Sequence, residues 1–442
     1  MIHEPLFFPD RRPSRRKGFR LRPLALALAC AVVFVGIGNL EAQPPLAPVG
    51  PEISLPSDAV LSAWYPDHAD VVMAPDGSWT VIWLVQGEGQ LEYQMARFSR
   101  AGERLGSDQI VASPDPQEGR FAKSADGDFV LGWIATDNDG DVRAQRFTSA
   151  GQAIGNELQV NSYTTGSQDG LALAVGSDDR LIVTWKDDRG AWGRLFDSLG
   201  APLTGELPLQ ETAEDVGSRT AAAFDDDNGF SVVWGADRDL KGRFFDSVGV
   251  PLSGDLVVAE PPGNYRAIWP VLSAQDSGKF VVAWADDYPY GSDVRFRDFT
   301  LSDFPADPPS FQVGDGGATP GAGVKRVPYF FQRNPDLATF ADEGFIVVWD
   351  QFVFGGGETV IEAAVVDASG NETGRFVINQ TPSYERHARV AAHGSEAVIV
   401  WEKEFFEDAS MVAQRFTRDF IFTDGFDSGN LTAWSRADGA EP

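Results

Sequence analysis

Cysteine is almost absent from this chain. The single cysteine is Cys30, which lies in an N-terminal apolar stretch, so residues 43–442 contain none. This excludes a disulfide framework, a cysteine-ligated zinc site and a cysteine nucleophile from that part. Histidine is scarce too, and no Gly-x-Ser-x-Gly, His-Glu-x-x-His or phosphate-loop motif occurs. Serine hydrolases, metalloproteases and nucleotide enzymes therefore lose their usual sequence support.

Long apolar runs are missing outside the N-terminus. Residues 1–42 combine seven basic side chains with an apolar core at 24–37. This pattern predicts an export signal, and the stretch 14–19 leaves the Sec and twin-arginine routes both open. The core is short for a bilayer span. We therefore predict an exported protein of the periplasm, cell surface or extracellular medium, with no stable membrane span after cleavage. Membrane anchoring by an uncleaved signal is the alternative.

Basic residues are outnumbered. The chain has 36 Lys and Arg against 65 Asp and Glu, a net charge of −29. Removing residues 1–42 takes away seven basic and three acidic side chains, which brings the net charge to −33. Such a field repels nucleic acid and anionic lipid and favours solubility. We expect no nucleic-acid partner and a monomeric mature chain.

The abundant feature is a tryptophan repeat. Short apolar runs end in tryptophans spaced 50, 52, 49, 50, 65 and 52 residues apart: Trp83, Trp133, Trp185, Trp234, Trp284, Trp349 and Trp401. The runs are continuously apolar, which predicts strands covered on both faces. A turn and a small-residue strand precede each run, and two further strands follow. The sequence thus predicts an all-β fold, a seven-bladed β-propeller of four-stranded blades, with a β-solenoid as the alternative.

The ends of the repeat region predict how the ring closes. The expected fourth strand after Phe416 is degraded, whereas residues 51–58 resemble the fourth strands elsewhere. We predict that this N-terminal strand completes the last blade and protects its edges. The predicted organisation is a signal peptide at 1–42, a linker at 43–50, the propeller at 51–420 and a C-terminal tail at 421–442.

The repeat has a recognisable pattern: Gly-Phe-Val-Val-x-Trp, Asp-x-Arg, Ala-Gln-Arg-Phe and a small-Gly pair, seen at 142–147, 185–189 and 234–238. It resembles the repeats of large secreted bacterial proteins of mostly unassigned function, and the resemblance implies no chemistry. We expect the Asp-x-Arg pairs to be structural salt bridges in hairpins. The segment 424–435 is similar to a C-terminal motif of exported proteobacterial proteins, which implies an envelope or secreted product. A last strand with a frayed end is the alternative.

Metal ligation is considered at two places. The candidate ligands are three aspartates of one acidic run and two histidines that precede the first strands of the first and last units: Asp137, Asp139, Asp141, His68 and His387. The acidic run fails the EF-hand pattern, so a hairpin turn is the alternative to calcium. The histidines, with Asp70 near His68, form either a metal site or ordinary surface loops. The sequence requires no cofactor and leaves calcium open.

Arginines recur just ahead of the predicted first strands despite the overall acidity. With neighbouring aromatics and a long insertion they give the predicted ligand-binding set, which is expected to ring one mouth of the axial channel: Arg120, Arg219, Arg266, Trp269, Lys325, Arg326, Tyr329, Arg333 and Arg386. Guanidinium groups beside aromatics suit a carboxylate-bearing ligand such as an acidic sugar or a peptide C-terminus. The alternative is that each arginine pairs with an acidic neighbour.

These observations predict a non-catalytic binding or scaffold propeller for a glycan, a peptide or an envelope protein. The alternative is a secreted glycan-active enzyme, a hydrolase or lyase, with its site at the propeller axis. An enzyme should place paired carboxylates of divergent pKa at the axis, whereas a binding module should present an aromatic and cationic face there.

Overall fold

The structure is a computed structural model. It describes residues 46–55, 69–86, 90–112, 116–124, 126–135, 140–211, 216–289, 291–303, 332–352, 358–379, 384–404 and 410–418. All of these belong to one compact unit, Pro44–Pro442. The predicted signal peptide and the C-terminal tail lie outside the described residues, as do His68, Asp137, Asp139, Lys325, Arg326 and Tyr329.

The regular elements among the described residues are strands, apart from one 3-10 turn at Leu301–Asp303, and turns and loops connect them. In chain order the strands are β1 Ala47–Ser54, β2 Ala69–Met73, β3 Trp79–Gln86, β4 Leu91–Phe98, β5 Gln109–Ala112, β6 Pro116–Lys123, β7 Phe129–Ala135, β8 Asp141–Phe147, β9 Ala153–Gln159, β10 Asp169–Val175, β11 Leu181–Asp187, β12 Gly190–Phe196, β13 Leu207–Pro208, β14 Val216–Phe224, β15 Phe230–Ala236, β16 Asp239–Phe245, β17 Leu256–Ala259, β18 Arg266–Ala274, β19 Phe280–Tyr288, β20 Gly291–Phe299, β21 Gln332–Thr339, β22 Phe345–Phe352, β23 Thr359–Val366, β24 Glu372–Val377, β25 Tyr384–His393, β26 Glu396–Glu404 and β27 Ser410–Thr417.

The strands pair into antiparallel groups that we number as blades. Blades one to four are β2–β5, β6–β9, β10–β13 and β14–β17, blade five is β18–β20, blade six is β21–β24, and blade seven is β25–β27 with β1. Blades six and seven share one sheet through a single bridge between Thr359 and Tyr384. In blade five the repeat pattern predicts a fourth strand at 311–313, and these residues lie outside the described ranges.

The second strand of each blade is the core strand. In β15 every residue is buried, as expected for a continuously apolar strand packed on both faces. All seven repeat tryptophans lie in such strands and are at most 3% exposed. Tight turns connect first and second strands, as where Gly77 adopts φ 81° and donates its N–H to the Ala74 carbonyl at 2.9 Å. The strand and turn predictions for these segments are confirmed.

The first strands contact one another in a closed succession among the described residues: β2 with β6, then β10, β14, β18, β21, β25 and again β2. The fold is therefore a β-propeller, and the contact ring passes through seven groups of strands. We call the side where the first strands begin the crossing face, and the opposite side, with the turns into the second strands, the hairpin face.

The ring closes through the N-terminal strand, as predicted. β1 pairs antiparallel with β27, from Ala47 opposite Thr417 to Ser54 opposite Val412. The strand begins four residues before the predicted 51–58 segment, and Leu46 just ahead of it is fully buried. Its prolines, which disfavour a central strand, are tolerated because β1 lies at a sheet edge. An irregularity between Val49 and Ile53 contains Gly50 at φ 75°.

Candidate functional site

A bulge interrupts the first strand of blades two to seven near the crossing face. The pairing of first and second strands shifts there in each of these blades. Five residues at the shifts adopt a left-handed backbone: Glu118 (φ 47°), Gly170 (φ 66°), Trp269 (φ 55°), Asn334 (φ 51°) and His387 (φ 55°). A left-handed conformation is costly for residues with a side chain and is enriched at functional sites. We call these five the bulge residues.

The bulges place different side chains at one level of the crossing face, because β-bulges redirect the side chains around them. Trp269, from the predicted ligand set, is half-buried at this level in β18. Asn334 donates its side-chain N–H to Asp350 Oδ2 at 2.7 Å. His387 Nδ1 lies 2.9 Å from Glu402 Oε2. Buried carboxylates of the second strands thus orient two bulge residues.

Just after the bulge, further from the crossing face, the first strands contribute a second level of residues that we call the axial layer. We define it as the residues that pair with the position just before each repeat tryptophan: Asp70, Arg120, Ala172, Ala221, Val271, Asp336 and Arg389. The layer has two unlike arcs. The charged residues come from the adjacent blades six, seven, one and two, and the small or apolar ones from blades three, four and five. The two halves of the ring of first strands therefore differ in polarity at this level.

The charged arc contains two copies of one arrangement. Asp336 Oδ2 accepts a hydrogen bond from the Val390 backbone N–H of the next blade at 2.8 Å, and Arg389 folds back onto the Ala388 carbonyl at 2.9 Å. In the same way Asp70 Oδ2 accepts from Phe121 N–H at 2.7 Å, and Arg120 donates to the Gly119 carbonyl at 3.2 Å. Each aspartate thus ties its blade to the next one, while an arginine of that next blade supplies the opposite charge.

The pKa values of Asp336 and Asp70 are both raised. Burial raises the pKa of Asp336 to about 6, against the opposing charge of Arg389 and with a further increase from the charge of Asp70. Burial also raises the pKa of Asp70, opposed by Arg120, Arg389 and two backbone hydrogen bonds. Asp336 retains partial solvent exposure, whereas Arg389 is 4% exposed. The charge of the axial layer therefore varies over mildly acidic pH.

The carboxylates at the bulge level are buried as well. Burial raises the pKa of Asp350, although the charge of His387 and the Asn334 hydrogen bond act against this rise. Arg386 Nε lies 3.4 Å from the same Glu402 oxygen that contacts His387. Among the described residues, no three His, Cys, Asp or Glu side chains are grouped so that they could hold a metal ion.

The predicted arginines occupy different depths. Arg120 belongs to the axial layer, where it acts on the pKa of Asp70 and Asp336. Arg333 and Arg386 lie at the bulge level, opposite Asp350 and Glu402. Arg219 lies within the bulge of β14.

Arg266 is the outermost of the described set. It is exposed at the start of β18, and its Nε donates to the Asp237 carbonyl at 3.1 Å. Among the five arginines, the described interactions therefore join Arg120 to the axial carboxylates and Arg386 to Glu402.

The remaining described metal candidate, Asp141, has protein partners. It is 2% exposed and accepts hydrogen bonds from Gln159 at 3.0 Å and Asn161 at 3.2 Å. These amide donors hold Asp141 within blade two.

The Asp-x-Arg pair at 187–189 forms the predicted salt bridge. Arg189 forms an ion pair with Asp187 at 2.5 Å, and its guanidinium lies 3.9 Å from the centre of the Tyr163 ring. At 236–238 the first residue is alanine, so the Asp-x-Arg spacing is absent there, and Arg238 donates to the Tyr265 backbone carbonyl at 3.2 Å. The salt-bridge prediction therefore applies to Arg189 and not to Arg238.

Sequence reasoning missed Asp336 and Arg389. Asp70 was noted only as a neighbour of His68. The available signal was positional, since each of these residues falls at the same offset from a repeat tryptophan once the first strands are in register. Counting along the chain gives nearly the same offset, 13 residues for Asp70 and Asp336 and 12 for Arg389, but the offset alone does not show that these side chains meet across neighbouring blades.

No family profile matches the chain, and no curated protein matches it. Within the described residues, no helix is long and apolar enough to span a bilayer.

Solved structures do resemble it. An ulvan lyase, described as a new family of polysaccharide lyase and bound to -[GlcA(1-4)Rha3S]-, has a TM-score of 0.54 at 9% identity, covering 82% of this chain and 95% of its own. The β-propeller domain of the trilobed protease of Pyrococcus furiosus has a TM-score of 0.43 at 8% identity, covering 80% and 98%. An α-L-arabinofuranosidase of Fusarium graminearum has a TM-score of 0.43 at 11% identity, covering 84% and 98%. The similarity to the ulvan lyase agrees with the propeller fold described above.

Proposed function

We propose that the mature chain is an exported propeller that binds an acidic glycan at the crossing-face mouth of its axis. The carrying observation is the divided axial layer, in which blades six, seven, one and two contribute Asp336, Arg389, Asp70 and Arg120, and blades three to five contribute small or apolar residues. A sugar ring needs both kinds of surface, because its hydroxyl edges seek hydrogen-bonding groups and its C–H faces pack on apolar ones.

Trp269 supports a carbohydrate over a peptide. Its ring is half-buried at the bulge level, on the apolar side of the axis, where it can stack on a sugar. The ulvan lyase is a propeller-like protein with a bound uronate-containing glycan, which is compatible with this ligand class. Export is proposed from the basic and apolar pattern of residues 1–42.

The arginines of the axial layer favour an acidic ligand. The chain is strongly negative, yet Arg120 and Arg389 belong to the axial layer, and Arg266 is exposed at the start of β18 in blade five. Partial protonation of Asp336 leaves the charged arc net positive near pH 6. A carboxylate or sulfate on the glycan would be attracted by that charge.

The test is a glycan and peptide array with chain 43–442, followed by calorimetry of any ligand found. We expect acidic glycans to bind, with Trp269→Ala and Arg266→Ala each weakening binding about 10-fold, or ~1.4 kcal/mol. Arg100→Ala is the matched control, because its side chain is 64% exposed on the hairpin face and pairs with Glu396. Binding of peptides alone, or equal effects of all three substitutions, would refute the proposal.

A further inference from the structure

The two axial aspartates differ in how fully they are hydrogen-bonded. Asp70 is 9% exposed, and both of its oxygens accept backbone N–H groups, from Val71 at 2.8 Å and Phe121 at 2.7 Å. Within the described ranges, Asp336 accepts a single hydrogen bond, from Val390 N–H to Oδ2 at 2.8 Å, and it keeps partial exposure. Asp70 is thus fixed as a structural acceptor. Asp336 retains Oδ1 for contact with a ligand.

We propose that the site also catalyses β-elimination of a uronic-acid glycan, with Asp336 as the group that moves the proton. This rests on the proposed function, because the glycan must bind at the axis with its acidic sugar beside Asp336. The role follows from the position of Asp336 at the junction of the two arcs, between the charged residue Arg389 and the apolar residue Val271 of the neighbouring blades.

The arginines favour elimination over hydrolysis. Glycoside hydrolysis passes through a transition state with positive charge on the sugar, which nearby guanidinium groups would destabilise. Elimination from a uronate instead builds negative charge on the sugar carboxylate. Positively charged donors already held in place stabilise such developing charge. Arg389 and Arg120 are fixed by their backbone carbonyl contacts at 2.9 Å and 3.2 Å.

The proposed step is balanced without a co-reactant. The Asp336 carboxylate takes the proton from C5 of the uronate, and the C–H electron pair forms the C4–C5 double bond. The bond between C4 and the glycosidic oxygen breaks, and its electron pair stays on that oxygen. Asp336 then passes the proton to the leaving oxygen and returns to its ionised form. The products are a new reducing-end chain and an unsaturated uronate end.

The ionisation of Asp336 fits this role. Its pKa is raised to about 6 by burial, which gives a stronger base than an ordinary carboxylate while it remains ionised at neutral pH. The groups that face it are Arg389 from β25, Asp70 from β2 and Arg120 from β6, and Asp350 and His387 lie at the bulge level above. Elimination should therefore rise as pH increases through about 6, whereas binding of the acidic glycan should weaken.

The experiment incubates chain 43–442 with polygalacturonate, alginate and glucuronan, and with carboxyl-reduced forms of each. Ultraviolet absorbance reports the unsaturated ends, and calorimetry reports binding. We expect product from at least one acidic polymer and from no reduced form. Asp336→Asn should keep binding and the Val390 hydrogen bond but lose about 100-fold or more in rate. Asp276→Asn is the matched control and should be unchanged, since Asp276 is exposed on the hairpin face.

The outcomes separate the two proposals. Binding without any unsaturated product, or an Asp336→Asn variant as fast as the parent, overturns the elimination and leaves glycan binding standing. Absence of binding to every polymer overturns both. Should Asp336→Asn fail to fold, as judged by its melting transition, the pH profile of the parent decides: a rate that does not rise through pH 6 overturns the role of Asp336.

Discussion

At the scale of single residues, the axial aspartates show that one position in a repeat can be used in different ways. Asp70 and Asp336 occupy the same offset from a repeat tryptophan, and each accepts an N–H from the next blade. Asp70 accepts a backbone N–H at both carboxylate oxygens and is 9% exposed, whereas Asp336 accepts one at Oδ2 and keeps partial exposure. The pKa of Asp336, raised to about 6, therefore gives stability a pH dependence that can be isolated by substitution.

Asp336→Asn should become more stable relative to the parent as pH rises from 4 to 6. Over that range the folded parent keeps a proton on Asp336 that an unfolded aspartate, with a pKa of about 3.9, has released. The stability from this proton is fully present below pH 4 and is lost as pH rises through the folded pKa. Urea unfolding of both proteins at pH 4, 5, 6 and 7 measures the difference. A constant difference would contradict the shifted pKa.

At the scale of elements, the second strands were predictable and the first strands were only partly so. Continuous apolar, β-branched runs that follow turn residues and end in tryptophan predict strands buried on both faces. The bulges leave no comparable signal, because tryptophan rarely adopts a left-handed backbone and tertiary structure imposes that conformation on Trp269. Asp336 and Arg389 lie 13 and 12 residues before their repeat tryptophans, so their level in the first strand was available from spacing, whereas their contacts with the neighbouring blades were not.

The left-handed backbone of Trp269 in the β18 bulge should reverse the usual stability order of glycine and alanine in a strand. Trp269→Gly should be more stable than Trp269→Ala by about 1 kcal/mol, because glycine adopts φ near 55° without the penalty that alanine incurs. In a regular strand the order is reversed. Both variants remove the ring, so the comparison isolates the backbone. Thermal or urea unfolding of the pair measures it, with Val281→Gly and Val281→Ala in β19 as the regular-strand reference.

At the scale of the whole molecule, the propeller depends on a strand from its far end. β1 supplies the fourth strand of blade seven, and Leu46 ahead of it packs in the same core cluster as Ile346 and Trp401. The sequence predicted this closure from a degraded fourth strand and a matching N-terminal segment. The exact start was missed because Pro48 argues against a strand unless it lies at an edge.

Removing residues 43–55 from the mature chain should lower the melting temperature by several degrees or more. The deletion takes away β1, the buried Leu46 and the partner of β27, so an inner strand becomes an exposed edge. Chain 43–442 is the reference, and a chain ending at residue 420 is the control for truncation as such. A deleted protein that melts with the reference would show that β1 contributes little to closure.

The pairing of β1 with β27 also makes the propeller a candidate for circular permutation. Ala47 lies opposite Thr417, so the start of the first strand and the end of the last one are neighbours in an antiparallel pair. A short turn from Arg418 to Leu46 would complete the ring of connections covalently. New ends could then be opened at another surface turn, such as the one before Gly200. The blades form a closed cycle, so we expect the fold to tolerate propeller ends placed at a different turn.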